Sequence, residues 1–352
     1  MLLPILNRMF SGKISMVALA AGVAAYQRGD RPTARRLLAI ASSAAPRDVA
    51  LHDRASLAAS QAADHRMVLD LLTTALRADP ANCEFETRAA FAQCELGDEQ
   101  GAARRCEQAI ARNTDRDPGK VLMHLLARLR LPGPANGEVL ASIHNWLRPR
   151  TYVEIGVADG DSIVLAAPGT RVIGIDPAPS VSRPLPPSTT IYAETSDEFF
   201  ARHDLCKLLG GLPADLAFID GMHLFEFVLR DFINLERHCT AGSTIVIDDC
   251  CPLDRRSAER TRTTLFWTGD VWRVIPALKK YRPDLRIHTI ATAPTGLCVI
   301  RGLDPASRVL PDHYDAIVAE FLALDYGALE ADKAAFVNLF PNDWERIIGI
   351  LR

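Results

Sequence analysis

Seven short β-branched, apolar runs between residues 150 and 303 constrain this chain more than any other feature. They are TYVEIGV (151–157), RVIGID (171–176), TTIYAE (189–194), DLAFID (215–220), STIVIDD (243–249), LRIHTIAT (285–292) and GLCVIRGL (296–303). Short apolar runs of this kind read as buried strands. Helices alternate with these runs, and that alternation argues for a mostly parallel sheet with helices on both faces. Only Ala293-Pro294-Thr295 separates the last two runs. Three residues cannot hold a crossover, so those two strands should pair antiparallel. The expected fold class is α/β, with a doubly wound, seven-stranded Rossmann-like sheet closed by an antiparallel hairpin.

The first strand leads into EIGVADGDS, where Glu154 ends the strand and Gly156 and Gly160 flank the turn. Glycines there let the backbone approach a ligand closely. Asp176 ends the second strand, at the distance where an acid can bind ribose hydroxyls. The spacing is G-x-x-x-G rather than G-x-G-x-x-G. With Glu154 it resembles motif I of class I S-adenosylmethionine-dependent methyltransferases, an acid-x-G-x-G-x-G pattern in which Ala158 here replaces the middle glycine. A pyrophosphate cofactor would be repelled by Glu154, whereas a sulfonium cofactor carrying an ammonium would not.

The resemblance covers about 150 to 303. FIDGMH, DDCCP, FWTGDVW and PTGLCVI together look like the small-molecule and sugar O-methyltransferases, some of them metal-dependent. It implies that Glu154, Gly156 and Gly160 hold the methionine end of S-adenosyl-L-methionine and that Asp176 holds the ribose. Thr195 and Ser196, after the third strand, would border the adenine.

Asp220 ends the fourth strand and Asp248-Asp249 ends the fifth. Ligands of open parallel sheets bind at the carboxyl ends of the strands, and neighbouring strands lie about 5 Å apart. Three carboxylates converging there would repel one another, and a divalent cation removes the conflict. Oxygen ligands favour Mg²⁺, Mn²⁺ or Ca²⁺. The alternative is that Asp220 and Asp249 only orient loops. Metal-dependent O-methyltransferases have this arrangement, and in them the cation activates an acceptor hydroxyl. His223 follows Asp220 by three residues, the offset of the lysine base in the catechol-type members. Asp220 and His223 are therefore the catalytic candidates, with His223 as base. A capping histidine is the other reading.

The insertion 251–272 carries Arg255, Arg256, Arg260 and Arg262, a set that would hold an anionic substrate or form a solvated surface helix. Trp267 and Trp272 would form a stacking wall or pack as core. After the fourth strand, FIDG replaces the [D/N]-P-P-[Y/F/W] motif of amino-methylating nucleic-acid enzymes.

The first third repeats with a period of 34. RGD at 28–30 recurs as AAD at 62–64 and LGD at 96–98. Ala34, Val68 and Ala102 share one position; Leu38, Leu72 and Cys106 share another, and Ala41, Ala75 and Ala109 a third. Two helices per repeat, split by a turn whose Asp caps the second helix, resemble the tetratricopeptide repeat. Such a solenoid would bind a protein segment or self-associate.

The expected domains are an all-α repeat region over 1–130, a linker over 131–148, the methyltransferase domain over 149–303 and a helical extension over 304–352. Net charge is −3 over 352 residues, which gives no global argument for nucleic acid or an anionic membrane. Eight cysteines without zinc-ligand spacing read as reduced thiols in a cytoplasm. The segment 1–26, with Arg8 and Lys13 before an apolar run, has a leader-like look, but its apolar part is too short to span a membrane. Together these readings give a cytoplasmic O-methyltransferase acting on a small molecule or glycan, with a divalent cation as a possible assistant. The competing readings are a repeat scaffold with a degenerate cofactor domain and an NAD-dependent oxidoreductase.

Overall fold

The computed structural model describes residues 2–114 and 117–352, with side chains from residue 12 onward in the first helix; Arg8 of the leader-like segment lies outside the described side chains. The chain divides into two units, residues 1–130 and 131–352.

The first unit is helical: α1 (Leu2–Gln27), α2 (Arg31–Ala44), α3 (Val49–Gln61), α4 (His65–Leu76), α5 (Cys83–Glu95), α6 (Glu99–Arg112) and α7 (Lys120–Arg130). The 34-residue register has a clear physical basis. Gly29, Ala63 and Gly97 all adopt positive φ (78°, 52° and 79°) at the helix-to-helix turns. Asp30, Asp64 and Asp98 follow, and each side chain accepts the amide three residues on, capping α2, α4 and α6. The nine repeated small and apolar positions named above are all buried. No helix among the described residues is long and apolar enough to cross a membrane.

The second unit begins inside the expected linker. Residues 136–147 form α8 (Asn136–Leu147), whose Val139, Leu140 and Ile143 pack in one core with Tyr152, Phe218 and Leu297. The Pro/Gly cluster ends at Gly137, and the apolar residues after it have helical spacing. The chain continues through β1 (Thr151–Ile155), β2 (Arg171–Ile175), β3 (Thr189–Tyr192), α9 (Ser196–Arg202), α10 (Leu205–Leu208), β4 (Leu216–Ile219), α11 (Phe225–Glu236) and β5 (Thr244–Ile247). Next come α12 (Val274–Tyr281), β6 (Arg286–Ile290) and β7 (Leu297–Arg301). The extension holds α13 (Val309–Asp312), α14 (Tyr314–Leu322), α15 (Tyr326–Ala331), α16 (Lys333–Phe336), β8 (Leu339–Phe340) and α17 (Trp344–Leu351).

The sheet order is β3-β2-β1-β4-β5-β7-β6-β8, parallel through β5, with β7 antiparallel to both neighbours. The hairpin is as expected. The eighth strand is a correction to the seven expected: β8 is two residues long and too short to leave a periodic signal, yet it pairs parallel with β6. Alternate strand residues feed opposite layers. Val153, Ile155, Ala217, Ile219 and Ile245 face α11 and α12, whereas Tyr152, Leu216, Phe218 and Val246 face α8 and α17. The strand order reverses between β1 and β4, which places the ligand crevice at their carboxyl ends.

Candidate active site

Gly156, just past β1, has φ 89° and donates its amide to Ile175 O at 2.9 Å. A Cβ at this position would lie 1.9 Å from the Asp220 carbonyl oxygen, so only glycine lets the turn pass the end of β4. Gly160, at φ 85°, faces Val181. Ala158, standing where the motif has its middle glycine, is also left-handed at φ 44°. Asp176 binds this turn rather than projecting from it: its Oδ2 accepts from Val157 N (2.9 Å) and Ala158 N (2.8 Å), and its Oδ1 from Ala178 N (2.7 Å).

The crevice contains a cavity of about 270 Å³ whose walls include Gly156, Ala158, Asp159, Asp161, Ser162, Asp220 and Asp248, with Asn136 and Gly137 of α8 across from them. No Lys or Arg lines it, and Asn136 Oδ1 is buried there without a hydrogen-bond partner. An acid-lined cavity suits a cationic ligand.

Glu154 is not among the lining residues. It is fully buried, accepting from Ser162 Oγ and Tyr152 OH at 2.6 Å each. Burial pushes its carboxyl up to about 8, outweighing those two bonds, and Asp220 and Asp176 add to the rise. That rise biases the Glu154 carboxyl toward its neutral form. Thr195 caps α9 in a capping box with Glu198, and Ser196 hydrogen-bonds the buried Asp231. Neither lines the cavity.

At the ends of β4 and β5 the side chains of Asp220, His223 and Asp249 converge, each with a donor atom within 4.8 Å of the others. His223 Nδ1 lies 2.7 Å from Asp249 Oδ2, and Nε2 lies 3.2 Å from Asp220 Oδ1. Both His223 (φ 56°) and Asp249 (φ 61°) sit in the left-handed region. Strained backbone of this kind persists only where its surroundings enforce it, and it concentrates at functional sites. Burial alone would lower the His223 imidazole, but Asp249 and Asp220 override it and push it up to about 11. With a carboxyl oxygen facing each ring nitrogen, His223 favours the imidazolium over the free base. Asp248, expected beside Asp220 and Asp249 as a ligand, stands apart from this group. Its Oδ1 accepts from Asn136 Nδ2 (2.7 Å), Asp249 N (2.8 Å) and Thr295 Oγ1 (3.0 Å).

The insertion 251–272 forms turns rather than a surface helix, and it builds one wall of the site. The Trp267 ring stacks on His223 at 5.2 Å and 11°. Gly269 has φ 58°, and a Cβ there would lie 1.8 Å from His223 O. Asp270 N donates to His223 O at 3.2 Å, and Asp270 Oδ1 accepts from Phe225 N at 2.9 Å. Arg260 is committed to Glu226 and Asp270, and Arg255 to Asp325. Trp272 is core, packed against Tyr326 and Phe336. Asn136, Gly269 and Asp270 escaped the sequence reading. Asn136 lies in a segment read as linker, and Gly269 and Asp270 were read only as part of FWTGDVW, whose contact with the His223 loop has no local signal.

No curated protein matches the chain. Among solved structures, it is similar to the O-methyltransferase TomG from Streptomyces achromogenes, involved in tomaymycin synthesis and solved with SAM: identity is 16%, coverage is 57% of this chain and 89% of that one, and the TM-score is 0.38. An O-methyltransferase from Bacillus cereus, solved with SAH, is 16% identical, with coverage of 50% and 86% and a TM-score of 0.35. Residues 153–250 match the family described as a methyltransferase domain. That segment runs from β1 to just past β5 and carries the glycine turn and every acid-bearing strand end, so the comparison places a methyltransferase-like domain on the part of the chain that builds the crevice.

Proposed function

We propose that this protein transfers the methyl group of S-adenosylmethionine to a hydroxyl oxygen of a small molecule or glycan, with a divalent cation at Asp220, His223 and Asp249. The observation that carries the reading is the convergence of those three side chains beside an acid-lined cavity. The cavity fits a cofactor bearing a sulfonium and an ammonium. Gly156 admits it closely, and Asn136 Oδ1 and the aspartates offer acceptors. The imidazolium between two carboxylates stands where a cation would be compensated. One imidazole and two carboxylates suit Mn²⁺ or another first-row ion as well as Mg²⁺, because a nitrogen ligand softens the site. A bound cation would supply Lewis-acid activation of the acceptor hydroxyl. The protein's own residues orient the reactants: Trp267 and Gly269 fix the His223 loop, and Asp248 ties α8 to the end of β5. The cytoplasmic location expected from the thiols belongs to this reading, and no disulfide joins the described cysteines.

Calorimetric titration with S-adenosylmethionine, followed by labelled-methyl transfer over a hydroxyl library with and without chelator, tests it. No binding at millimolar cofactor sinks the enzyme reading. Binding without turnover on any hydroxyl favours a scaffold with a cofactor-sensing domain, and turnover indifferent to chelator removes the cation.

A further inference from the structure

The helical unit holds a polar groove of its own. A groove of about 400 Å³ runs between α4 and α6, the second helices of successive repeats, with α5 as its floor. Its charged lining is Arg77, Arg104, Arg105 and Arg112 against Glu86 and Asp98. Glu86 is buried (4% exposed) and is already satisfied by Arg105 at 2.9 Å and by Arg112. Asp98 caps α6 and accepts from Gln93 at 3.1 Å. Arg77 and Arg104 are exposed, and their guanidinium groups form no ion pair or hydrogen bond with the described residues.

The positive charges follow one helix face. Arg104, Gln108 and Arg112 recur every four residues along α6, and Gly101, which leaves room for the Asp98 cap, lines the groove three residues before Arg104. From Arg104 to Arg112 the helix rises roughly 12 Å, the span of about four extended residues. The charge of the whole unit agrees: residues 1–130 hold 18 basic and 14 acidic side chains, whereas 131–352 hold 22 and 29. We propose that this groove binds an acidic, extended segment of a partner protein, with its carboxylates against Arg77 and Arg104.

The test uses the full chain and a fluorescein-labelled peptide of alternating glutamate and serine, read by anisotropy at low ionic strength. The expected result is saturable binding that weakens as salt is raised. The double variant Arg77→Glu with Arg104→Glu should weaken it at least about tenfold, and Arg77→Gln with Arg104→Gln should weaken it by less. Arg28→Glu with Arg47→Glu makes the same change in net charge outside the groove and should leave the affinity within about twofold. Circular dichroism and S-adenosylmethionine binding, read in parallel, report folding. Equal loss in the two charge-reversed pairs, equal binding of a glutamine-serine peptide, or no saturable binding at low salt would each overturn the assignment. So would salt-sensitive self-association in sedimentation that the groove variants abolish, because the occupant would then be the acidic unit of a second copy.

Discussion

His223 shows how much of this site depends on single residues. It is left-handed, stacked on Trp267 and clasped between Asp220 and Asp249. Asp249→Asn removes one of the two charges that raise the imidazole while keeping a residue type that tolerates positive φ. The His223 pKa should fall, as read by imidazole proton shifts, and under the proposed function methyl transfer should drop about 10²-fold or more. Gly156→Ala forces a Cβ onto the Asp220 carbonyl at positive φ. It should cost about 2–4 kcal/mol in denaturant unfolding and abolish cofactor binding. Ala63→Gly does the reverse in the helical unit. It relieves the one repeat turn in which alanine holds a left-handed conformation, and should raise stability by about 0.5–1 kcal/mol. An unchanged or lowered midpoint would show that the turn is not strained.

At the scale of elements, the insertion 251–272 and α8 assemble the crevice from segments that look peripheral in sequence. Gly269→Ala should displace the His223 loop, because a Cβ there meets His223 O. The expected result is cofactor binding within about threefold of the parent with methyl transfer reduced at least about tenfold, since a misplaced catalytic group costs rate before affinity. Equal loss of both would show a general collapse of the domain. The strand series, the hairpin, the Asp caps and the repeat register were all legible in the sequence. Each is a local signal: apolar runs, a three-residue gap, or small residues recurring every 34 positions. The roles of Glu154, Asp176 and Asp248 were not legible. Their positions at strand ends were visible, but whether a carboxylate faces a cavity or a buried hydroxyl depends on which atoms the neighbouring loops bring to it.

At the scale of the whole molecule, several buried groups act on stability in the same direction. Glu154 is raised to about 8 and Asp231 to about 7, both chiefly by burial, and His223 to about 11 by its two carboxylates against the opposing effect of burial. Between the ordinary value and the folded one, each binds a proton in the folded state that the unfolded chain lacks. From these groups folding stability falls as pH rises from about 7 to 9, above the window in which His144, lowered to about 4 by burial, acts in the opposite sense. Thermal melts of the cofactor-free protein should show a steadily lower midpoint across that range, and Glu154→Gln should flatten the part below pH 8. A midpoint rising with pH would contradict the burial of these groups.

The sequence by itself determined the parallel sheet with its closing hairpin and the acids at the strand ends. Those follow from hydrophobic period, turn chemistry and strand order, which act over short stretches of chain. Only the tertiary structure decided that His223, and not Asp248, joins Asp220 and Asp249, that Glu154 is buried, and that the insertion fastens the His223 loop. These depend on side-chain direction and on dehydration by segments remote in sequence, and both are set only when the chain packs.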